Sequence, residues 1–272
     1  MGVKSDQQTF RDTAVRAAKA AGKLLRQSFA KEIRIEYKGA VNLVTEADRA
    51  AEAVIVETIR RWFPDHRFLA EEGGEYAPAG PAESIHKWII DPLDGTTNFA
   101  HTFPMFCVSI ALETRGEVVL GIVYDPLHEE LFMAEFGRGV TLNGRPIHVS
   151  KVEKLNGSLL VTGFAYDVRE NRVNNLDHFG NFSMRAQGVR RTGSAALDLC
   201  YVACGRLDGF WEMKLSPWDT AAGQLIVREA GGRVTTFSGE PYSIDMKEIL
   251  ATNGKIHSEM IEVLGLSKRA GR

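Results

Sequence analysis

Between Trp88 and Phe99 the chain reads Trp-Ile-Ile-Asp-Pro-Leu-Asp-Gly-Thr-Thr-Asn-Phe, an apolar run that delivers two carboxylates, Asp91 and Asp94, into a turn. Pro92 fixes φ there, and the bend brings both acids together with the Leu93 carbonyl between them, a set of oxygens suited to a hard cation. Thr96 and Thr97 then offer hydroxyls and backbone N–H groups at a predicted helix start, which suits a phosphate. Taken alone, Asp94 reads as an Asx-turn with helix capping.

Two further acids stand in comparable positions. Asp219, in Pro217-Trp218-Asp219-Thr220, opens a predicted helix and on its own reads as an N-cap. Glu71, in Ala70-Glu71-Glu72-Gly73, ends a predicted strand and on its own reads as a solvated loop residue. Together Glu71, Asp91, Asp94 and Asp219 put acids at strand-to-loop or loop-to-helix junctions, and no paired Cys/His spacing resembles a zinc site. The implied metal is hard and oxygen-ligated, Mg²⁺ before Mn²⁺. Two such ions can polarise a phosphoryl group, generate hydroxide and stabilise a leaving alkoxide in one in-line displacement, so the expected chemistry is metal-assisted phosphate ester hydrolysis. Cys200 and Cys204, four apart on a predicted helix, read as buried thiols because no His completes a site. His101 is kept as a residue that could stand behind the acids, whereas Trp211, Trp218 and Phe103-Pro104-Met105-Phe106 read as core.

The elements that position these acids follow from periodicity. Phe10, Ala14, Ala17, Ala18, Ala21, Leu24, Leu25 and Phe29 recur at helical spacing; Ala51, Val54, Ile55, Ile59 and Trp62 do so over 46–62, after a Thr45/Asp48 pair that resembles a capping box. Short apolar runs then predict strands at 68–70, 88–90, 107–112, 118–124 and 131–135, and Asn143-Gly144 predicts a hairpin between 140–142 and 147–149. The C-terminal part alternates: strands at 159–162, 210–213, 234–237 and 249–251, helices at 195–203, 220–230 and about 256–264. Two sheet layers separated by helices are the simplest arrangement, and the short 77–81 stretch reads as a surface loop rather than an interdomain linker.

Composition narrows the class. Of 272 residues, 33 are Lys or Arg and 35 Asp or Glu, a net charge of −2, so there is no electrostatic reason to expect nucleic acid or an anionic membrane as partner. The polar start and the lack of an apolar stretch near ~20 residues predict neither a signal peptide nor a membrane anchor. Three cysteines fit a reducing compartment, so the expected location is cytoplasmic.

Residues 91–99, Asp-Pro-Leu-Asp-Gly-Thr-Thr-Asn-Phe, resemble the first signature of the inositol monophosphatase family. Trp218-Asp219 with Glu229-Ala230-Gly231-Gly232 resembles its second, and Thr45-Glu46-Ala47-Asp48 and Glu71-Glu72 fall in family order. The resemblance covers nearly the whole chain. It implies a layered αβαβα sandwich of the sugar phosphatase type (α/β, or α+β), with a large antiparallel sheet and a smaller C-terminal mixed sheet. The unit would be the whole chain, 1–272, in approximate halves 1–150 and 151–272.

Carried over by position, the resemblance implies that Glu71, Asp91 and the Leu93 carbonyl bind one Mg²⁺, that Asp91, Asp94 and Asp219 bind a second, and that a third, weaker ion uses Glu71 through water. Glu71, with Thr96 and Asp48, would orient the attacking water; Gly95 and Thr96 would donate N–H groups to phosphate. Gly193, Ser194, Ala195 and Glu212 would contact the substrate ring, as would Asp94 and Asp219, and Lys38 would lie near the metals or be an exposed strand lysine. Asn42, Ala70 and Gly73 depart from the residues that relatives often carry, and Gly73-Gly74 makes the loop bearing Glu71 more permissive. The implied activity is Mg²⁺-dependent hydrolysis of inositol monophosphate by a lithium-sensitive homodimer. The alternatives are fructose 1,6-bisphosphate, histidinol phosphate or another small ester, and a regulatory or scaffolding protein that keeps the fold.

Overall fold

The N-terminal stripe forms helix α1 (Asp6–Ser28), burying Ala14, Ala17, Ala18, Ala21 and Leu25. Small side chains along that seam let α2 (Glu46–Arg60) pack closely beside it, with Ala51, Ile55 and Ile59 fully buried. The computed structural model describes residues 6–29, 35–38, 42–76 and 84–267, and within these the side chains of all but 6–8, 35–38 and 42–45. Strands β1 (Ile35–Lys38) and β2 (Asn42–Thr45) form an antiparallel hairpin between the two helices. The side chains of Lys38, Asn42 and Thr45, and the 77–81 loop, lie outside the described residues.

The middle of the chain supplies β3 (Arg67–Ala70), β4 (Gly74–Tyr76), β5 (His86–Asp94), the short helix α3 (Thr96–Ala100), β6 (Cys107–Thr114), β7 (Glu117–Asp125), β8 (Glu130–Glu135), β9 (Gly139–Leu142) and β10 (Arg145–Pro146). They form an eight-stranded sheet in the order β10-β9-β8-β7-β6-β5-β3-β4, antiparallel except where β3 runs parallel to β5. Period-two alternation sorts its residues onto two buried faces. Trp88, Ile90, Val108, Ile110, Leu112 and Ile122 pack toward α1 and α2, whereas Ile89, Cys107, Ala111 and Val123 pack against the opposite layer. The Asn143-Gly144 turn forms with both residues at positive φ, but the hairpin's second arm is only Arg145–Pro146 rather than 147–149. Phe106 is core as expected, whereas Phe103 is 53% exposed and is not.

The remainder gives β11 (Leu159–Thr162), α4 (Leu176–Ser183), β12 (Gly188–Arg190), α5 (Ala195–Ala203), β13 (Gly209–Met213), α6 (Pro217–Glu229), β14 (Arg233–Thr235), β15 (Glu248–Thr252) and α7 (His257–Ser267). The second sheet is mixed, in the order β12-β11-β13-β15-β14. Helices α5 and α6 lie between the sheets and share a core with both, through Leu197, Leu199, Leu225 and Ile226. Phe182 of α4 and Met260 and Leu264 of α7 cover the far face over Trp211 and Leu250. The layers are therefore helix, sheet, helix, sheet, helix. Among the described residues no helix is long and apolar enough to cross a membrane.

Two buried histidines give this core an acid sensitivity. His66 accepts from Trp88 Nε1 at 3.0 Å and stacks on His86, and His257 is clamped between the hydroxyls of Thr235 and Thr252, each at 2.9 Å. Burial, with His86 beside the first and Arg233 beside the second, pushes both imidazoles down to about 4. Between pH 6.5 and 4 the unfolded chain takes up these protons and the native state does not, so stability present above pH 6.5 falls as pH drops toward 4. Each residue should account for about 2 kcal/mol of the loss between pH 7 and pH 5. Urea titrations of His66→Gln and His257→Gln should show that difference flattened, and an unchanged pH slope would refute the assignment.

Candidate active site

Strand β5 continues through both acids instead of ending before them, because Asp91 pairs with Ser109 and Asp94 with Cys107 across a bulge in the β5–β6 register. That bulge turns both carboxylates to the same end of the sheet. Asp91 is buried and accepts the Leu93 N–H at 3.0 Å, so its own turn holds one oxygen. Its carboxyl is pushed well up, first by burial and then by Glu71, Asp94, Asp219 and Asp48, so all five acids share one cleft.

Asp94 is anchored from the other half of the chain. It receives the Ser194 hydroxyl at 2.6 Å and the backbone N–H groups of Ala196 at 2.8 Å and Ala195 at 3.3 Å, at the start of α5. The Cys107 thiol adds a contact at 3.7 Å. Burial raises this carboxyl, and the same hydrogen bonds partly offset the rise. Ser194 and Ala195 thus also hold the Asp94 carboxylate in place. Gly193 sits at φ +87 next to Asn98, whose amide donates to the Met105 and Thr192 carbonyls at 2.8 Å.

Asp219 is not the N-cap of α6. Ser216 occupies that position, and Asp219, three residues on, accepts the Ser216 N–H at 2.6 Å, tying its carboxylate to the helix start. Its carboxyl is raised well above the usual range by burial, with Asp94 and Glu71 adding to the effect. Glu229 lies outside the cleft and receives the N–H groups of Gly137 and Gly139 at 2.8 and 2.7 Å, which pins the β8–β9 turn.

Gly95 turns the chain into α3 at φ +100. The buried Thr96 hydroxyl donates to the Leu93 carbonyl at 3.0 Å. A hydroxyl has one proton, so orientation of Thr96 by Asp48, buried at the start of α2, requires that hydroxyl to rotate. Helix α3 is only five residues long, so its contribution to anion binding rests on the turn's N–H groups rather than on a long dipole.

Glu212 reaches the cleft from β13. It is 8% exposed and its carboxyl is pushed well up, first by burial and then by Asp198, Asp219 and Asp94, with Arg191 opposing. Its carboxylate lies directly over the Cα of Gly163, where a Cβ would come within 2.2 Å of an oxygen. Sequence reasoning missed Gly163, Cys107, Asp198 and Tyr166. Asp198 is buried on α5 and bonded to the Thr192 hydroxyl. The Tyr166 phenol, raised by burial, bonds Thr97 and feels Glu71, Asp94 and Asp219. His101 is exposed at the end of α3, whereas Trp211 is core, donating to Asn175 at 2.7 Å. Burial pushes the Cys200 and Cys204 thiols up; Cys200 is fully buried as expected, whereas Cys204, at the end of α5, is only partly so.

The donors are all hard oxygens, and the mutual repulsion that raises Asp91 is what a divalent cation among them would relieve, so the residues fit Mg²⁺ or Mn²⁺. Among the described residues no three of these side chains are already converged at metal-binding geometry. The layered fold and the acidic cleft at the strand ends suit a hydrolase of the phosphatase class.

The chain belongs to the inositol monophosphatase family, whose model matches residues 6–267. It is 51% identical to an inositol-1-monophosphatase from Synechocystis sp. over 96% of this chain and 90% of that protein. It is 44% identical to Nus factor SuhB of Pseudomonas aeruginosa over 94% and 96% of the two chains. The structure of an inositol monophosphatase from Anabaena (Nostoc) sp. superposes with a TM-score of 0.87 at 49% identity, covering 96% of this chain and 97% of the other. The chain is accordingly a phosphatase of this family.

Proposed function

We propose that this phosphatase hydrolyses inositol monophosphate with Mg²⁺, and that the whole chain acts as one unit. The observation that carries the reading is the gathering of Glu71, Asp91, Asp94 and Asp219, from three separate elements, around one cleft beside Glu212. Glu71, Asp91 and the Leu93 carbonyl would hold one ion, Asp91, Asp94 and Asp219 a second, and Glu71 a weaker third through water. Bound Mg²⁺ supplies Lewis-acid polarisation of the phosphoryl group, a lowered water pKa and neutralisation of the leaving alkoxide. Gly95 and Thr96 present N–H groups to the phosphate, Glu71 and the Thr96–Asp48 pair orient water, and Glu212 accepts a ring hydroxyl. Gly193, Ser194 and Ala195, the last two of which also hold Asp94, would lie beside the substrate ring, as would Asp94 and Asp219.

Inhibition by Li⁺, assembly as a homodimer and a cytoplasmic location are further parts of the proposal; the free thiols of Cys107, Cys200 and Cys204 support the last. A regulatory role beside catalysis is a second reading, supported by the likeness to proteins called Nus factor SuhB.

The test is phosphate release from inositol 1-phosphate and fructose 1,6-bisphosphate with Mg²⁺ or EDTA. Preference for fructose bisphosphate would overturn the substrate, and no release with any divalent metal would overturn the enzyme reading. The Gly163–Glu212 contact adds a sharper expectation. Gly163→Ala must displace the Glu212 carboxylate, so both it and Glu212→Gln should lower kcat/KM for inositol phosphate by about 10-fold to 100-fold while changing phenyl phosphate, which has no ring hydroxyls, by less than about threefold. Equal losses on both esters would remove Glu212 from ring recognition.

A further inference from the structure

Glu71 sits in a tight turn between β3 and β4, closed by the Ala70–Gly74 pair, and its N–H bonds the Ile90 carbonyl at 3.2 Å. The other side of the turn is held by a residue outside the acidic cleft. Glu52 of α2 is 3% exposed; one carboxylate oxygen accepts the Glu72 N–H at 2.8 Å and the other the Tyr76 hydroxyl at 2.6 Å. A carboxylate is costly to bury, and two charge-assisted bonds to one turn offset that cost only while the turn stays in place.

The Tyr76 hydroxyl reaches Glu52 by crossing Gly73, where a Cβ would lie 1.8 Å from it. The Arg60 guanidinium lies 5.6 Å from the Tyr76 ring centre, and Arg49 pairs with Glu72 at 3.6 Å. The bare Cα of Gly73 is therefore the passage that lets the Tyr76 hydroxyl reach Glu52. Asp48 and Glu52 are four apart on α2, so one helix face carries both the acid that faces Asp91 and the acid that fixes Glu71.

We propose that Glu52 is a positioning residue which, with Tyr76 passing over Gly73, latches the Glu71 turn and so sets the affinity of the cleft for its divalent cation. This rests on the reading of Glu71 as a cation ligand, and the test separates the two. Mn²⁺ binding to the metal-free protein would be followed by the loss of the free-ion electron paramagnetic resonance signal, with melting temperature recorded alongside.

Glu52→Ala should weaken Mn²⁺ binding by about 10-fold to 100-fold. Tyr76→Phe, which loses one hydrogen bond, should weaken it about fivefold. Glu52→Gln keeps an acceptor for Glu72 and offers an amide to the Tyr76 oxygen, so it should restore binding to within about threefold of wild type. In Tyr76→Phe, turnover should recover to the wild-type kcat when Mg²⁺ is raised.

If Glu52→Ala does not fold, Tyr76→Phe and Gly73→Ala decide. Unchanged Mn²⁺ affinity in the latch variants, with weakened affinity in Glu71→Ala, overturns the latch and leaves the site reading standing. Unchanged affinity in Glu71→Ala overturns that reading and the latch with it. Lower melting temperatures with unchanged Mn²⁺ affinity would make Glu52 purely structural and overturn the proposal.

Discussion

Asp91→Asn is expected to abolish turnover and, in metal-free protein at neutral pH, to raise the melting temperature. Asp91 stands where burial and four other acids all oppose its charge, so in the absence of cation the ionised form strains the native state. Asparagine keeps the shape, and its oxygen still accepts the Leu93 N–H, while the charge is removed. A relief of about 1–2 kcal/mol would raise the melting temperature by about 2–8 °C in a chain of this size. The sign has a pH signature. With the folded pKa above the unfolded one, the native state holds the proton longer, and the penalty grows as pH rises from about 4 through the folded pKa. The gain in the variant should therefore be present at pH 7 and absent near pH 4.

The same substitution removes the carboxylate proposed to bridge two cations, and phosphate release should fall by about 10³-fold or more. Mg²⁺, which should stabilise the wild type by binding only the native state, should no longer do so in the variant. Calorimetry with and without EDTA, beside a phosphate assay, checks all three statements. A variant that melts lower than the metal-free wild type at pH 7 would contradict the reading of the cleft as a repulsive cluster awaiting a cation. Activity and apo stability trade against each other at this one carboxylate.

What could be read from the sequence, and what could not, divides by the range of the contact. Helix α1 and strands β5 to β8 carry their burial in local periodicity, so their residues announce both the element and the face. Helix α4 does not: it begins on the exposed Leu176 and contains Gly180, and its burial rests on His178 and Phe182 against α7 and the second sheet. Asp91, Asp94 and Asp219 stand in compact signatures, so composition and spacing pointed to them. Their supports do not. Ser194 holds Asp94 from 100 positions away, and Gly163 matters only because Glu212 lies on it. Glu52 did leave a trace, since 48, 52, 55 and 59 run along one face of α2 and place two acids on an otherwise apolar stripe.

Gly95→Ala should be among the most damaging single-methyl changes in the chain. Gly95 adopts φ +100, a region that costs an L-residue about 1–2 kcal/mol, and the added Cβ would lie 2.8 Å from the Met105 carbonyl oxygen and 3.2 Å from Phe106 Cβ. That carbonyl cannot swing aside freely, because the Asn98 amide holds it at 2.8 Å while also holding Thr192, and Phe106 is fully buried against Phe99. The combined cost should reach about 3–5 kcal/mol, a fall in melting temperature of about 6–20 °C. Any relief must come from shifting the turn that carries Thr96 and the phosphate-facing N–H groups, and a displacement near 1 Å there should cost about 10²-fold in turnover. Gly137→Ala supplies the control: its φ is also positive, at +69, but nothing lies within 4 Å of its Cβ, so only the conformational cost applies and phosphate release should be unchanged. If the two variants melted together, the approach of Met105 and Phe106 to Gly95 would have to be yielding, and the turn would lose its claim to hold Thr96 rigidly over the acids.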